Sequence, residues 1–158
     1  MKKTIIVDVD DTITIVGDRR NTINKINTDY TEFHNRCLED KPNGYVIRLL
    51  SNLLNQYNLL FVTIRPESIR NKTIKQIENF LPIVNPNVLM NDESINNSAA
   101  TIKLNMIKNA IDIDTIEFAL EDNDKVIKEY SKAGIKCLKV ISQDKAIKPK
   151  RIRKKRRL

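Results

Sequence analysis

The chain has 158 residues, 41% of them hydrophobic, and this length suits one domain with a sizeable core. The two cysteines, Cys37 and Cys137, show no CxxC spacing, and no apolar run approaches the ~20 residues that a membrane span needs. These features argue against a disulfide scaffold, a CxxC-type zinc site and a membrane-spanning protein, so we expect a location in a reducing cytoplasm.

Positive charge is concentrated at the C-terminal end of the chain. The net charge is +8, and the segment 145–158, "KAIKPKRIRKKRRL", holds nine Lys and Arg and no acid. We therefore expect a nearly neutral folded domain over residues 1–144 and a basic tail over residues 145–158. Runs of Lys and Arg bind polyanions such as nucleic acid, while a solubility or targeting tail is the alternative.

Five short apolar segments predict strands, in chain order at 4–9, 58–63, 87–91, 116–120 and 135–141. Apolar residues at helical spacing lie between them, at 46–54, 69–80 and 104–110. Strands that alternate with helices predict an α/β fold with a largely parallel sheet covered on both faces. The polar segment 15–42 is too long for a simple connection and predicts a small cap.

Acidic side chains follow two of the predicted strands, and a hydroxyl ends another. The stretch "IIVDVDDTIT" places Asp8, Asp10 and Asp11 at the end of the first strand. Ligands of such sheets bind outside the carboxyl ends of the strands, so functional side chains at these ends should converge. The others that we expect at this edge are Thr63, Lys103, Glu121 and Asp122.

This set of residues is suited to phosphoryl chemistry. Two pairs of carboxylates repel each other unless a divalent cation lies between them, and Mg²⁺ prefers oxygen ligands. One carboxylate can attack the phosphoryl group, and a second, two residues further on, can protonate the leaving oxygen and then activate water. A threonine hydroxyl and a lysine ammonium can hold the remaining phosphoryl oxygens.

The motifs resemble those of the haloacid dehalogenase (HAD) superfamily of phosphohydrolases. The DxDxT motif is matched by residues 8–12, and Thr63, Lys103 and the pair Glu121–Asp122 follow in the same order. A narrower resemblance, carried by "CLEDKPNGYVIRLL", "FVTIRPESIRNKTIKQIENFL" and "ALEDNDKVIKEYSKAGIKCLKV", is to the 3′-phosphatase domain of phage polynucleotide kinases and related stand-alone phosphatases. No P-loop motif is present, so no kinase half is expected.

The resemblance implies a Rossmann-like HAD fold and a phosphomonoesterase that acts through an aspartyl-phosphate. Asp8 would be the nucleophile and Asp10 the general acid and base. Thr63 and Lys103 would bind the transferred phosphoryl group, with Lys108 as the alternative lysine. The further implied roles are substrate contact by Thr12 and Arg65, and Mg²⁺ binding by Asp8, the backbone carbonyl of Asp10, Asp122 and, directly or through water, Glu121.

Several alternatives stay open at this point. The substrate could be a 3′-phosphorylated nucleic acid end or a small nucleotide, and a nucleic-acid-binding module on a HAD scaffold is a third possibility. A receiver domain is disfavoured, because its phosphorylated aspartate would end the third strand. Arg19, Arg20 and Arg70 are expected to be solvated, and His34 to belong to the surface or cap without a catalytic role.

Overall fold

The computed structural model describes residues 1–23, 29–93 and 96–141. The predicted basic tail over residues 145–158, and the predicted domain boundary at residue 144, lie outside the described residues. Within the described ranges, no helix is long and apolar enough to cross a membrane.

Strands and helices alternate along the described part of the chain. The strands are β1 (Thr4–Val7), β2 (Thr14–Ile15), β3 (Lys41–Pro42), β4 (Asn58–Pro66), β5 (Asn87–Asn91), β6 (Ile116–Glu121) and β7 (Cys137–Lys139). The helices are α1 (Thr31–Asn35), α2 (Gly44–Leu53), α3 (Arg70–Phe80), α4 (Ala99–Ala110) and α5 (Asp124–Lys132). Short 3₁₀ turns cover Asp18–Thr22, Cys37–Glu39, Glu67–Ile69 and Ile113–Thr115.

Five of the strands form one parallel sheet in the order β5-β4-β1-β6-β7. This confirms the predicted α/β class. The chain runs from β1 through β4 to β5 and then returns to the other side of β1 as β6. The strand order therefore reverses between β1 and β6, and the crevice beyond their carboxyl ends is where such sheets bind ligands.

The core explains why β1 is fully apolar. Ile5 and Val7 face a cluster with Phe61 and residues of α2 and α3, whereas Ile6 faces a second cluster with residues of α4 and α5. Burying each of these side chains contributes about 1.5–3 kcal/mol. The strand that carries the first acidic residues at its end is thus anchored on both faces.

Two of the predicted strand boundaries differ from the structure at the site itself. The first strand ends at Val7 rather than at residue 9, because the chain turns over Val9–Ile13, where Asp11 has a left-handed φ of 61°. The second strand extends to Pro66, and its pairing with β5 shifts register between Val62 and Pro66. Thr63 therefore lies where the regular pairing breaks, not at the end of the strand.

The described residues between β2 and β3, where a small cap is predicted, form short elements. β2 and β3 pair as an antiparallel ribbon, with Thr14 opposite Pro42. The turn Asp18–Thr22 and α1 contact each other between these two strands. Tyr30, Phe33 and His34 of this segment reach the cleft that contains the acidic residues.

Candidate active site

Asp8 lies directly beyond β1, and both of its carboxylate oxygens have a partner. Oδ1 accepts a hydrogen bond from Lys103 Nζ at 2.5 Å, and Oδ2 accepts one from Thr12 Oγ1 at 2.7 Å. The backbone N–H of Asp8 donates to the Leu120 carbonyl at 3.0 Å, which ties the residue to the neighbouring strand β6. The nucleophile candidate is therefore held at the switch point of the sheet.

Lys103 lies on the buried face of α4 and joins two acidic residues. Its Nζ also donates to Glu121 Oε2 at 2.7 Å. Burial alone would lower the pKa of Lys103, but Asp8 and Glu121 outweigh this effect and raise it, so the ammonium is charged. Lys108, five residues further along α4, is exposed. Of the two lysines considered, Lys103 is the one that reaches the acidic residues.

The acidic pair at the end of β6 completes this cluster. Glu121 is buried, and its Oε1 accepts the backbone N–H groups of Asp122 and Asn123, both at 3.1 Å. One carboxylate oxygen each of Asp8, Glu121 and Asp122 lie within 4.8 Å of one another. Burial raises the pKa of Asp8 to about 8, and the charges of Glu121 and Asp122 act in the same direction.

This cluster fits a divalent cation. Three carboxylates outnumber the one ammonium, Lys103, that bonds two of them. When ionised, these four groups carry a net charge of about −2, and close carboxylates resist ionisation unless a cation offsets their repulsion. Carboxylate oxygens are also the ligands that Mg²⁺ takes in proteins.

Asp10 has the opposite electrostatic surroundings. Its Oδ1 accepts hydrogen bonds from Arg19 Nη2 at 2.5 Å and from Arg65 Nη2 at 2.7 Å, and its Oδ2 accepts one from Arg65 Nε at 3.1 Å. Burial alone would raise the pKa of Asp10, but Arg65 and Arg19 more than offset it and hold the pKa well below its usual range. In the ligand-free chain Asp10 is a carboxylate with a fixed orientation.

The position of Arg19 is the first correction to the sequence-based expectations. We expected this residue to be solvated, yet it is 1% exposed. Its Nε and Nη2 each donate to a different oxygen of Asp40, both at 2.6 Å, and its Nη1 donates to the Phe33 carbonyl at 2.9 Å. The guanidinium also lies 4.0 Å from the centre of the Phe33 ring. Neither Arg19 nor Asp40 was identified as a site residue from the sequence.

Arg65 and Thr12, which are predicted to contact the substrate, are both fully buried and do not line the cleft around Asp8. Arg65 bonds Asp10 and, at 3.3 Å, Thr73, whereas Thr12 bonds Asp8. In the described structure, Thr12 and Arg65 hold the carboxylates of Asp8 and Asp10 in place through these hydrogen bonds.

A cavity of about 570 Å³, which we call the catalytic cleft, brings the other predicted residues together. Thr63 reaches this cleft and accepts a hydrogen bond from the Arg65 backbone N–H through its Oγ1, at 3.2 Å. The predicted site residues that line the catalytic cleft are Asp8, Asp10, Thr63, Lys103, Glu121 and Asp122. Residues from β4, from α4 and from the ends of β1 and β6 thus surround one space that is large enough for a phosphorylated ligand.

Comparison with known protein families assigns the chain to one family. Residues 2–144 match the family model described as the phosphatase domain of the polynucleotide kinase PNKP. The chain belongs to this family. It is a HAD-like phosphatase, as the resemblance of its motifs predicted. No curated protein sequence matches it significantly.

Solved structures share the fold of this phosphatase at low sequence identity. A chain of the Pnkp1/Rnl/Hen1 complex matches with a TM-score of 0.70 and 20% identity, over 89% of this chain and 46% of that chain. A HAD-like hydrolase from Streptococcus pneumoniae matches with a TM-score of 0.63 and 13% identity, over 91% and 89% of the two chains. The HAD hydrolase YfnB of Bacillus subtilis, bound to magnesium, matches with a TM-score of 0.61 and 14% identity, over 90% and 92%. The phosphatase spans less than half of the chain in the first complex.

Proposed function

We propose that this phosphatase removes 3′-phosphates from nucleic acid ends, with Mg²⁺ and through an aspartyl-phosphate on Asp8. The observation that carries the proposal is the contrast between Asp8 and Asp10, which are two residues apart. Asp8 lies in a cluster with an excess of negative charge, whereas Asp10 lies between two guanidinium groups. Carboxylates whose surroundings differ in this way are suited to different roles in one reaction.

In the first step, a carboxylate oxygen of Asp8 attacks phosphorus, and the bond between phosphorus and the ester oxygen breaks. The leaving oxygen takes a proton from Asp10, and Thr63 and Lys103 hold the non-bridging oxygens. Asp10 is ionised in the ligand-free chain, so it must gain this proton when substrate binds. An arriving phosphate dianion favours that uptake, because a nearby negative charge raises the pKa of a carboxyl group.

In the second step, the Asp10 carboxylate takes a proton from a water molecule, whose oxygen attacks the phosphorus of the aspartyl-phosphate. The acyl-phosphate bond breaks, which releases inorganic phosphate and restores Asp8. Arg19 and Arg65 fix the Asp10 carboxylate in one orientation and stabilise its charge. These ion pairs support the proposed role of Asp10 as a base.

The acidic cluster is the proposed magnesium site. Asp8, the backbone carbonyl of Asp10 and Asp122 would hold the ion, with Glu121 beside them. Bound there, Mg²⁺ would offset the negative charge of the cluster and help to orient the phosphoryl group. The excess of carboxylates over ammonium groups supports this assignment, as does the magnesium-bound HAD hydrolase that shares the fold.

The substrate class is supported by the family and by the narrower motif resemblance to 3′-phosphatase domains. The related chains of known structure include components of an RNA repair complex. A small nucleotide is the main competing substrate, since the catalytic cleft has room for one.

A phosphate-release panel with Mg²⁺ tests the proposal. It compares 3′-phosphorylated oligonucleotides, 5′-phosphorylated oligonucleotides and mononucleotides, with the Asp8→Asn variant as the inactive control. We expect the highest kcat/KM for 3′-phosphorylated ends. A higher kcat/KM for 5′-ends or for mononucleotides would contradict the proposed substrate, whereas turnover by the Asp8→Asn variant would contradict the proposed mechanism.

A further inference from the structure

A second cavity, which we call the side cleft, adjoins the catalytic cleft. Its volume is about 610 Å³, within the range of roughly 300–1,000 Å³ that is usual for ligand sites. Tyr30, His34, Ile64 and Asn91 line both cavities. A ligand whose phosphate lies at Asp8 can therefore extend into the side cleft past these four residues.

The charges around the side cleft disfavour phosphate groups. None of the described residues that line it is Lys or Arg, whereas Asp29 and Glu93 bring two carboxylates. Apart from the His34 ring, its other polar side chains are neutral amides and hydroxyls, such as those of Asn35 and Ser68. Such a lining repels a phosphodiester backbone but can donate and accept hydrogen bonds with the edge of a nucleobase or with a sugar.

The rim between the two clefts is aromatic. Tyr30 is 45% exposed, and its ring packs edge-on against Phe33, with centroids 6.3 Å apart and an interplanar angle of 79°. The His34 ring lies 6.1 Å from Tyr30. Burial lowers the pKa of His34, so its ring is neutral near pH 7. Neutral aromatic faces beside a phosphate site are platforms on which a base can stack.

Two polar atoms at this rim lack a hydrogen-bond partner. His34 Nδ1 and Asn91 Oδ1 are buried, and no partner for either occurs in the described structure. A buried polar atom without a partner costs free energy, and a ligand that supplies the missing hydrogen bond recovers that cost. These two atoms are therefore candidates to bind a nucleoside at the rim.

We propose that the side cleft holds the terminal nucleoside whose 3′-phosphate lies at Asp8, with its base stacked on Tyr30 and His34. This inference rests on the proposed function and adds to it the means by which the enzyme recognises the last nucleotide of a strand. The uncharged rings recognise the presence of a base, and the carboxylates of Asp29 and Glu93 keep the phosphate backbone of the strand outside the side cleft.

The test compares two 3′-phosphorylated oligonucleotides that differ only at the terminal nucleotide, one with a normal base and one abasic. Wild-type enzyme should show a higher KM for the abasic end. The Tyr30→Ala variant should raise KM for the normal end roughly 5- to 150-fold, equivalent to about 1–3 kcal/mol of stacking, and should largely abolish the difference between the two substrates.

Tyr45→Ala is the matched control. Tyr45 is 68% exposed on α2, packs against Arg48 and lines neither cleft. This variant should keep the wild-type preference for the normal end.

A nucleoside 3′-monophosphate carries the same nucleoside as the strand end, so Tyr30→Ala should raise its KM by a similar factor. An effect confined to long strands would place the Tyr30 contact outside the side cleft and overturn the inference.

The remaining outcomes separate this inference from the proposed function. If the wild type releases phosphate from normal and abasic 3′-ends with equal KM, the side cleft does not bind the base, although the 3′-phosphatase activity stands. Equal effects of Tyr30→Ala on both substrates would lead to the same conclusion. If the wild type releases no phosphate from 3′-ends at all, the proposed function is wrong, and this inference fails with it.

Discussion

Replacing Arg19 by methionine should destabilise the chain and slow catalysis by two separable routes. The guanidinium of Arg19 makes a two-pronged ion pair with Asp40 and a further bond to Asp10, and the side chains of Arg19 and Asp40 are at most 1% exposed. Without Arg19, the nearest described cation to Asp40 is Arg65, whose Nη2 lies 3.8 Å from Asp40 Oδ2. Asp40 would then be a buried and poorly compensated charge.

The expected loss of stability is large. Removing one partner of a buried ion pair costs about 3–5 kcal/mol, compared with a total stability of about 5–15 kcal/mol for a typical domain. With an m-value of about 2 kcal/mol/M in urea, a loss of about 4 kcal/mol lowers the unfolding midpoint by about 2 M. Urea unfolding followed by circular dichroism measures this shift.

A second variant, Arg19→Met/Asp40→Leu, separates folding from catalysis. Replacing both charges with apolar groups is often neutral or stabilising, so most of the stability should return. Asp10 would still lack its hydrogen bond from Arg19, and one charged hydrogen bond is worth about 1.5–3 kcal/mol. The double variant should therefore fold well and still show a kcat about 10- to 150-fold below that of the wild type.

Arg20→Met is the matched control, because Arg20 pairs with Asp11 at 2.6 Å and its side chain is 46% exposed, although the Asp11 side chain is buried. Solvent screens the exposed guanidinium, and Asp11 keeps the hydrogen bond from the Val16 backbone N–H, so the urea midpoint should move less than in Arg19→Met. An unchanged midpoint in Arg19→Met would refute the assignment of a buried ion pair. A double variant with wild-type kcat would show that Arg19 supports only the fold and does not position Asp10.

Four further predictions concern the site and the tail. Asp8→Asn should abolish phosphate release without unfolding the chain, while Asp10→Asn should slow release and let a phosphorylated enzyme accumulate, which mass spectrometry detects; more than a few per cent residual activity in Asp8→Asn would contradict its role. Lys103→Met should abolish activity while Lys108→Met keeps it; a reversed result would exchange the two lysines. EDTA should stop turnover, and Mg²⁺ at about 100 times its Kd should stabilise the chain by about 2.7 kcal/mol in thermal unfolding; full turnover after exhaustive metal removal would exclude a metal role. Truncation after Gln143 should raise KM for long oligonucleotides. It should also flatten the slope of log K against log salt concentration by ~0.7 for each phosphate that the shortened chain no longer binds. An unchanged slope would mean that the tail does not bind substrate.

The sheet and the acidic residues were predictable because their signals are local. Runs of β-branched residues that alternate with helical spacing identify the strands and helices of an α/β fold, and the rule for strand ends then places Asp8 and the pair Glu121–Asp122 at one edge. The strand ends themselves were less predictable. The turn after Val7 depends on a left-handed residue, Asp11, and aspartate adopts that conformation only where its surroundings favour it.

The supporting residues of the site were not predictable from the sequence, because their signals are tertiary. In the stretch "DRRN", Arg19 is buried while the adjacent Arg20 is partly exposed, and nothing in the letters distinguishes the two. The difference arises from Asp40, which lies 21 residues from Arg19 in the sequence and directly before β3, the partner strand of β2. Arg65 was predicted to contact the substrate, but its bond to Asp10 depends on how β4 continues past Thr63.

The two aspartates of the motif therefore differ because of how charge is balanced around each of them. Near Asp10, the carboxylates of Asp10 and Asp40 are matched by the guanidinium groups of Arg19 and Arg65, so the charges in this half of the site are balanced. Near Asp8, the carboxylates outnumber the ammonium of Lys103, so we expect this half to gain stability when a cation binds. In the proposed mechanism, the charge-balanced carboxylate of Asp10 lies beside a cluster in which acids outnumber the Lys103 ammonium. A metal bound to that cluster would offset the acids, and the phosphate would then meet a site that no longer repels it.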